Sequence, residues 1–456
     1  MSRWWPSLGT ILWIAFFLAL SCGAGRVAMV SADGDPAWHW AHGNWMWEHR
    51  AVLRTDEFTH TRAGAPVIEM WWLSELAMAA AGNTLGWQGI VVLASAVIAT
   101  TLWWLYRQMV GEGISAAVAL GTVLLASAVC ATHWLARPHL ATHLLVVIVG
   151  GLLAQGRRLW ILPGLMMLWV NLHSMFFTGL IVMGIYAVGN FRRPKYAVLA
   201  GLGFAATLVN PNGWHLHAHI AGFLGNDFLV RFAQECAPPD LFSGESIGLW
   251  LMLTALAVVL WKARRQVTVT EWLLVAVWLV LGLRMRRNLP LFALVAAPIL
   301  ARHAHAWLAG RIRNLDHLNT GGGQIWAVAA VAGVILLRVP TEPAPDRYPV
   351  EAIKFLRSQP MAGEMFNTLD WGGYLMLQLP ERRVFIYSRL DDESLIRDFN
   401  EIDDAGPLWE SVCRKYNVGW TILPRAHRLN QLLAQQPGWR FVRDDGVTTI
   451  YCRRPL

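Results

Sequence analysis

The chain has 456 residues, 55% of them hydrophobic and 15% charged, with 38 Lys and Arg against 30 Asp and Glu for a formal charge of +8. Runs of about 20 apolar residues recur along it, which excludes a protein that is soluble throughout. The basic excess is unevenly spread and accompanies no zinc-finger spacing, P-loop or nucleic-acid module, so it speaks to membrane topology and not to a nucleic-acid partner.

In chain order, the first apolar run covers residues 8–30. It is longer than the roughly 7–15-residue core of a signal peptide, and Ser2-Arg3 is only a minimal basic flank, so it reads as a retained helix. Spans of about 20 residues predict about eleven crossings. They fall near 8–30, 88–110, 114–133, 139–154, 159–172, 174–190, 196–210, 246–262, 269–284, 288–303 and 323–339. Several are short, which fits tilted or re-entrant segments. Residues 68–85 are apolar but carry Glu69 and Glu75, which fits a helix lying on the membrane surface.

Lys and Arg in short loops set orientation. Arg107, Arg157-Arg158, Arg192-Arg193-Lys195, Lys262-Arg264-Arg265, Arg302, Arg311 and Arg313 alternate so as to share one side, the cytoplasm. The first outer loop (31–87), the 210–245 loop and the C-terminal tail then face outward, with the N-terminus inside. Near Pro340 the composition changes. Thr341-Glu342-Pro343-Ala344-Pro345 is a linker, dividing the chain into residues 1–340 and 341–456. In the tail, helices are predicted at 349–358, 407–416 and 428–435, and strands at 383–388, 421–423 and 448–452. The expected fold is thus an α-helical polytopic membrane protein with a small C-terminal soluble α/β domain. Cys22 and Cys130 lie in apolar spans. There is no C-x-x-C pair, so a redox or zinc site is not expected. A Cys413–Cys452 disulfide is open if the tail lies outside the cytoplasm.

Residues 31–75 hold the densest chemistry: Asp33, Asp35, His39, His42, Glu48, His49 and Asp56 set among tryptophans. Ionisable groups beside lipid persist mainly where they pair, line a cavity or react. In Asp33-Gly34-Asp35-Pro36-Ala37-Trp38-His39, Gly34 and Pro36 turn the chain at the end of the first helix. A carboxylate there, partly desolvated by Trp38 and Trp40, can accept a proton from a hydroxyl; the plainer reading is a cap on the next helix. Arg284-Met285-Arg286-Arg287-Asn288 falls outside, against the positive-inside trend. Guanidinium groups there suit a phosphate, or snorkel to headgroups. Asn171-Leu172-His173 and Asn210-Pro211-Asn212-Gly213 sit at outer ends of spans, as does Arg137-Pro138-His139. They either line a polar cavity or make interhelical bonds and helix stops. Asp370-Trp371-Gly372-Gly373-Tyr374 reads as a turn before a strand.

Taken together, these motifs resemble the GT-C superfamily of integral-membrane glycosyltransferases, and within it a little-characterised bacterial branch. The branch pattern D-x-D-x-x-W-H, then glycine, then D-x-F-x-x-T, is met by Asp33, Asp35, Trp38, His39, Gly43, Asp56, Phe58 and Thr61. Its R-P-H, N-L-H-G-G, N-P-x-G and R-N-x-P-L-F motifs appear at Arg137-Pro138-His139, Asn171-Leu172-His173-Ser174-Met175, Asn210-Pro211-Asn212-Gly213 and Arg287-Asn288-Leu289-Pro290-Leu291-Phe292. The tail follows with Phe366-Asn367, Trp371-Gly372-Gly373-Tyr374, Val384-Phe385-Ile386 and Arg389-Leu390-Asp391. Two positions depart: Tyr387 replaces an aspartate, and Ser174-Met175 replace a double glycine.

The resemblance implies a GT-C-like fold, a polyprenyl-phosphate-linked sugar donor and an outer-face active site in a bacterial inner (cytoplasmic) membrane, with the C-terminal domain periplasmic. It implies catalysis by Asp35, with Asp33, Asp56 and His39 beside it, and donor-phosphate binding by Arg284, Arg286, Arg287 and Arg137. His139, Asn171, His173 and Asn210 would line the cavity. A divalent metal, if used, would fall to Asp35 and His39. Partners would be membrane lipids and a glycan, lipid or protein acceptor. The expected reaction is an inverting sugar transfer. A polytopic transporter or flippase, or a non-catalytic scaffold of envelope glycan assembly, stand as alternatives.

Overall fold

The computed structural model describes residues 5–309, 311, 316–319, 323–359, 361–389 and 391–454. Ser2, Arg3, Arg313 and Leu390, all used in the sequence reading, lie outside the described residues. The chain divides into two compact units. One comprises Met1–Gly23, Val91–His217 and Ala233–Val339; the other comprises Ala24–Ile90, Ala218–Phe232 and Pro340–Leu456.

The first unit is helical. Four helices are long and apolar enough to cross a membrane: Trp87–Gly111, Ala116–His133, Gly244–Ala263 and Arg286–Leu308. The pair Leu8–Cys22 and Gly25–Ser31 makes a fifth if taken as one span. Shorter apolar helices cover His139–Gln155, Leu159–Leu172, Ser174–Gly189, Lys195–Ala206 and Gln324–Leu337. The continuous helix expected over 8–30 is interrupted at Gly23, whose N–H donates to Ala19 O while its own backbone turns extended. Local sequence sets other boundaries. Thr268 and Glu271 form a reciprocal capping box before Val269–Arg284, satisfying N–H groups that helix starts leave orphaned. Pro290 sits in the first turn of Leu289–Leu308, where a missing N–H costs nothing. Trp169, Trp278, Tyr106, Phe176 and Phe292 are fully buried in this unit. Arg302 bridges Glu112 (2.8 Å) and Glu271 (2.6 Å).

The second unit joins residues 24–90 and 218–232 to the tail. The helix Asp35–His49 carries Pro36 in its first turn and ends at Arg50, which is left-handed (φ 51°). The helix Trp72–Leu85 packs against it. A Cβ at Gly43 would lie 2.2 Å from Glu75 O and 2.7 Å from Ala79 Cβ, so only glycine permits that approach. The tail builds a four-stranded sheet from β1 (Glu364–Asn367), β2 (Val418–Pro424), β3 (Trp439–Asp444) and β4 (Thr448–Arg453), in the order β1-β2-β4-β3. β1 runs parallel to β2, and the other pairings are antiparallel. Phe366, Phe385, Phe399, Ile402, Leu423 and Trp439 belong to its core.

The tail helices Val350–Ser358, Trp409–Lys415 and Arg428–Ala434 fall where expected, as do β2 and β4. Two segments differ. Residues 384–387 are buried but do not join the sheet: Val384 N donates to Phe58 O (2.9 Å) and Val384 O accepts from His60 N (3.0 Å), so the segment clasps the loop around residues 58–60. Asp370-Trp371-Gly372-Gly373-Tyr374 is not a turn but the body of a helix, Leu369–Gln378. Its glycines serve close approach: a Cβ at Gly372 would meet Ile386 O at 2.1 Å, and one at Gly373 would meet Gly34 O at 2.5 Å. Cys413 and Cys452 are both buried free thiols.

Candidate functional site

In the second unit, the Asp33 carboxylate accepts a bond from Asp35 N (3.1 Å), which turns the chain into the helix and presents Asp35 in its first turn. Asp33 therefore closes the turn before the helix, whose N-cap is Gly34. Asp35 is 6% exposed. Its Oδ1 accepts from Trp38 Nε1 (3.1 Å) and from the Ser388 hydroxyl, and the same indole N–H lies 3.0 Å from Ser388 Oγ. A carboxylate held by two donors at a helix start has a fixed direction, which a base needs before its substrate arrives. Asp56 is also buried, but both its oxygens are engaged locally. Oδ1 accepts from Phe58 N and Thr59 N, and Oδ2 accepts from the Thr59 hydroxyl, so it organises its own turn.

Behind Asp35 lies a buried ionic cluster. The His39 ring lies against Trp38 (centroids 3.6 Å apart, planes tilted by 34°), and its Nδ1 lies 2.9 Å from Glu75 Oε1. His42 Nδ1 faces Glu69 Oε2 at 3.4 Å and Glu75 Oε1 at 3.5 Å, and its Nε2 is 3.2 Å from the Tyr387 hydroxyl. Glu69 Oε1 accepts from Met70 N and Trp71 N, while Oε2 receives Arg389 Nη1 at 3.1 Å. Arg389 also donates to Ile68 O and Asp391, and Asp391 in turn receives Arg62 (2.5 Å). Burial alone would depress the His42 imidazole, but the Glu75 and Glu69 carboxylates push it up to about 9. Burial and the Glu69 charge push Glu75 up to about 8. Burial opposes the Glu69 charge too, yet Arg389 and His42 hold it down at about 2. Among the described residues, His42, Glu69 and Glu75 are the group whose donor atoms, all within 4.8 Å of one another, can hold a metal ion.

In the first unit, Glu235 stands between two of the expected phosphate ligands. Arg137 Nη1 donates to its Oε2 (3.2 Å) and Arg287 Nη1 to its Oε1 (3.1 Å). The segment is anchored by Arg286 N donating to Ala237 O (2.9 Å). Burial works against its charge, but the two guanidinium groups hold the Glu235 carboxyl well below the usual range. Arg284 and Arg286 are exposed and make no ion pair among the described residues. The remaining candidates are spent locally. His139 Nε2 donates to His133 O (2.9 Å), and Asn171 donates to Met167 O and Val209 O. His173 Nδ1 pairs with Thr142, which also receives Trp169 Nε1. Asn210 holds its own turn through Thr207 O, Gly213 O and Asn212 N.

Sequence reasoning missed Ser388, Glu235 and the grouping of His42, Glu69 and Glu75. The two glutamates did carry a signal, as charges within an apolar stretch. Ser388 and Glu235 carried none that sets them apart from ordinary loop residues. Tyr387, which departs from the branch pattern, is the residue that meets His42.

The fold, with apolar helices long enough to cross a membrane in one unit and a small sheet in the other, is GT-C-like, as two solved structures show. It matches the archaeal oligosaccharyltransferase AglB from Archaeoglobus fulgidus, solved with an inhibitory peptide and a dolichol-phosphate, with a TM-score of 0.60 at 10% identity over 97% of this chain and 74% of that one. It matches ArnT from Cupriavidus metallidurans, solved bound to undecaprenyl phosphate, with a TM-score of 0.59 at 13% identity over 97% of both chains. No protein-family model and no curated protein sequence matches this chain.

Proposed function

We propose that the chain is an inner-membrane glycosyltransferase that moves a sugar from a polyprenyl-phosphate-linked donor to an acceptor hydroxyl at the periplasmic face. The single observation that carries this is Asp35. In a GT-C fold, a buried carboxylate at the start of the outer-loop helix is held in one direction by Trp38 and Ser388. Asp35 would take the proton from the acceptor hydroxyl as that oxygen attacks the anomeric carbon and the bond to the polyprenyl phosphate breaks, inverting the centre. The AglB and ArnT structures hold polyprenol-type phosphates, which supports a donor of that class here. Developing charge on the leaving phosphate calls for guanidinium groups. Arg284 and Arg286 are uncompensated and meet a phosphate without displacing a partner, whereas Arg137 and Arg287 must first exchange Glu235 for it. His39 holds the indole face of Trp38 and so the direction of Asp35.

The test is sugar transfer by the full chain in vesicles supplied with radiolabelled polyprenyl-phosphate sugars. Asp35→Asn keeps an acceptor for Trp38 and the Ser388 hydroxyl, so the fold stays intact. A base of this kind contributes about 10²–10⁴-fold, and transfer should fall by that factor. An Asn variant that transfers sugar at the wild-type rate removes Asp35 from the mechanism. Arg286→Glu should weaken undecaprenyl-phosphate binding, and unaltered affinity removes it from the donor site.

A further inference from the structure

The cluster behind Asp35 holds two atoms that the protein leaves unserved. His42 Nδ1 and Glu75 Oε2 are fully buried and make no hydrogen bond. Both residues are 0% exposed. Buried polar atoms in folded proteins are almost always partnered, by protein, by water or by an ion. His42 Nδ1 lies 3.4 Å from Glu69 Oε2 and 3.5 Å from Glu75 Oε1, too far for a good hydrogen bond, and one donor atom from each of the three residues lies within 4.8 Å of the others.

Those distances suit something else. Ligands about 2.0–2.1 Å from a tetrahedral ion lie about 3.3–3.4 Å from one another. The charges agree as well. A neutral imidazole and two carboxylates balance a divalent ion, and Arg389, which donates to Glu69 Oε2 (3.1 Å), carries a charge that Asp391 Oδ2 (3.2 Å from its Nε) offsets. The supporting contacts are those that metal ligands usually have. His42 Nε2 meets the Tyr387 hydroxyl, Glu75 Oε1 meets His39 Nδ1, and Glu69 Oε1 is fixed by Met70 N and Trp71 N.

We propose that His42, Glu69 and Glu75 form a buried site for one divalent ion of the zinc or manganese class, separate from Asp35. One imidazole and two carboxylates suit these borderline and hard ions better than copper(I) or an iron–sulfur cluster, which favour thiolates. The ion bridges the helix Asp35–His49, the turn at Glu69 and the helix Trp72–Leu85. Through Glu75 it sets the orientation of His39, and through the ring contact that of Trp38. Its role is positional, exerted through His39 and Trp38, and the site stands whether or not the chain transfers sugar.

The experiment uses the full chain purified in nanodiscs, stripped with a chelator, loaded with Zn²⁺ or Mn²⁺ alone and desalted. Metal content and apparent Tm are then read. One ion per chain with a raised Tm is expected, lost in both His42→Asn and Glu75→Gln. Tyr387→Phe, which keeps the ring and removes only the outer hydroxyl, should weaken affinity about 10–100-fold. Asp35→Asn should bind the ion as wild type does, which separates this test from the transferase one. Wild type that retains no ion overturns the proposal, and so does an ion retained equally by His42→Asn and Glu75→Gln. If those variants do not fold, X-ray absorption of the loaded wild type decides. One nitrogen and carboxylate oxygens around the ion support the site, and a shell with no nitrogen, or with sulfur, overturns it.

Discussion

Replacing Gly373 by alanine tests how the Asp35 turn is held. The new Cβ would lie 2.5 Å from Gly34 O, 3.0 Å from Trp38 N and 3.1 Å from Trp38 Cβ. Two of those three atoms are backbone, so no rotamer change relieves the clash. Either the helix Leu369–Gln378 or the Asp35 turn must move. Overpacking of this kind costs about 1–3 kcal/mol, and at about 2–4 °C per kcal/mol for a unit of this size the apparent Tm should fall by about 2–12 °C. A shift of about 1 Å at a reacting group costs about 10²-fold in rate, so transfer should fall further than stability implies. Gly25→Ala is the control: nothing lies within 4 Å of its added Cβ, and a helix gains up to about 1 kcal/mol from the exchange. Both variants are compared with wild type by thermal melting in detergent and by transfer in vesicles. A Gly373→Ala protein that melts and reacts like the Gly25→Ala control would refute the packing argument.

Arg389→Met leaves Glu69 buried without its guanidinium, a loss of about 3–5 kcal/mol. Chemical denaturation should show it, and adding Glu69→Gln should return part of the stability; no recovery in the double variant would count against a direct ion pair. Glu235 sets a pH dependence. Its carboxyl is held below its ordinary value of 4.5, so the stability it contributes is full above that pH and is lost as the pH falls below it. Glu235→Gln should therefore melt below wild type at neutral pH, with the gap closing on acidification. A gap that stays constant from pH 7 to pH 3 would show that Glu235 is not held by Arg137 and Arg287.

The membrane character of the chain is legible because apolar length is a local property: the runs at 88–110, 114–133, 246–262 and 288–303 correspond to helices that can cross a membrane. Local chemistry also places the tail helices and β2 and β4. What local chemistry cannot show is partnership across sequence. Residues 383–388 read as a strand because β-branched and aromatic residues alternate there, but their hydrogen-bond partners are Phe58, His60 and Thr61 of a loop and the Asn367 side chain. Gly372-Gly373 reads as a turn because glycine tolerates positive φ, yet here its lack of a side chain matters inside a helix. At the candidate site, the Asp33-Asp35 turn is readable from Gly34 and Pro36. Ser388, Tyr387 and Arg389 are not, since nothing in their own neighbourhood announces the residues they meet. Glu235 is hidden for the same reason.

The bond from Ser388 to Asp35 spans 353 residues of sequence. At a synthesis rate of about 5–20 residues per second, the first outer loop waits about 18–70 s on the ribosome before its closing partner exists. During that time Trp38, Glu69 and Glu75 have no tail to cover them. Early termination anywhere before Ser388 leaves the Asp35 carboxylate without that donor.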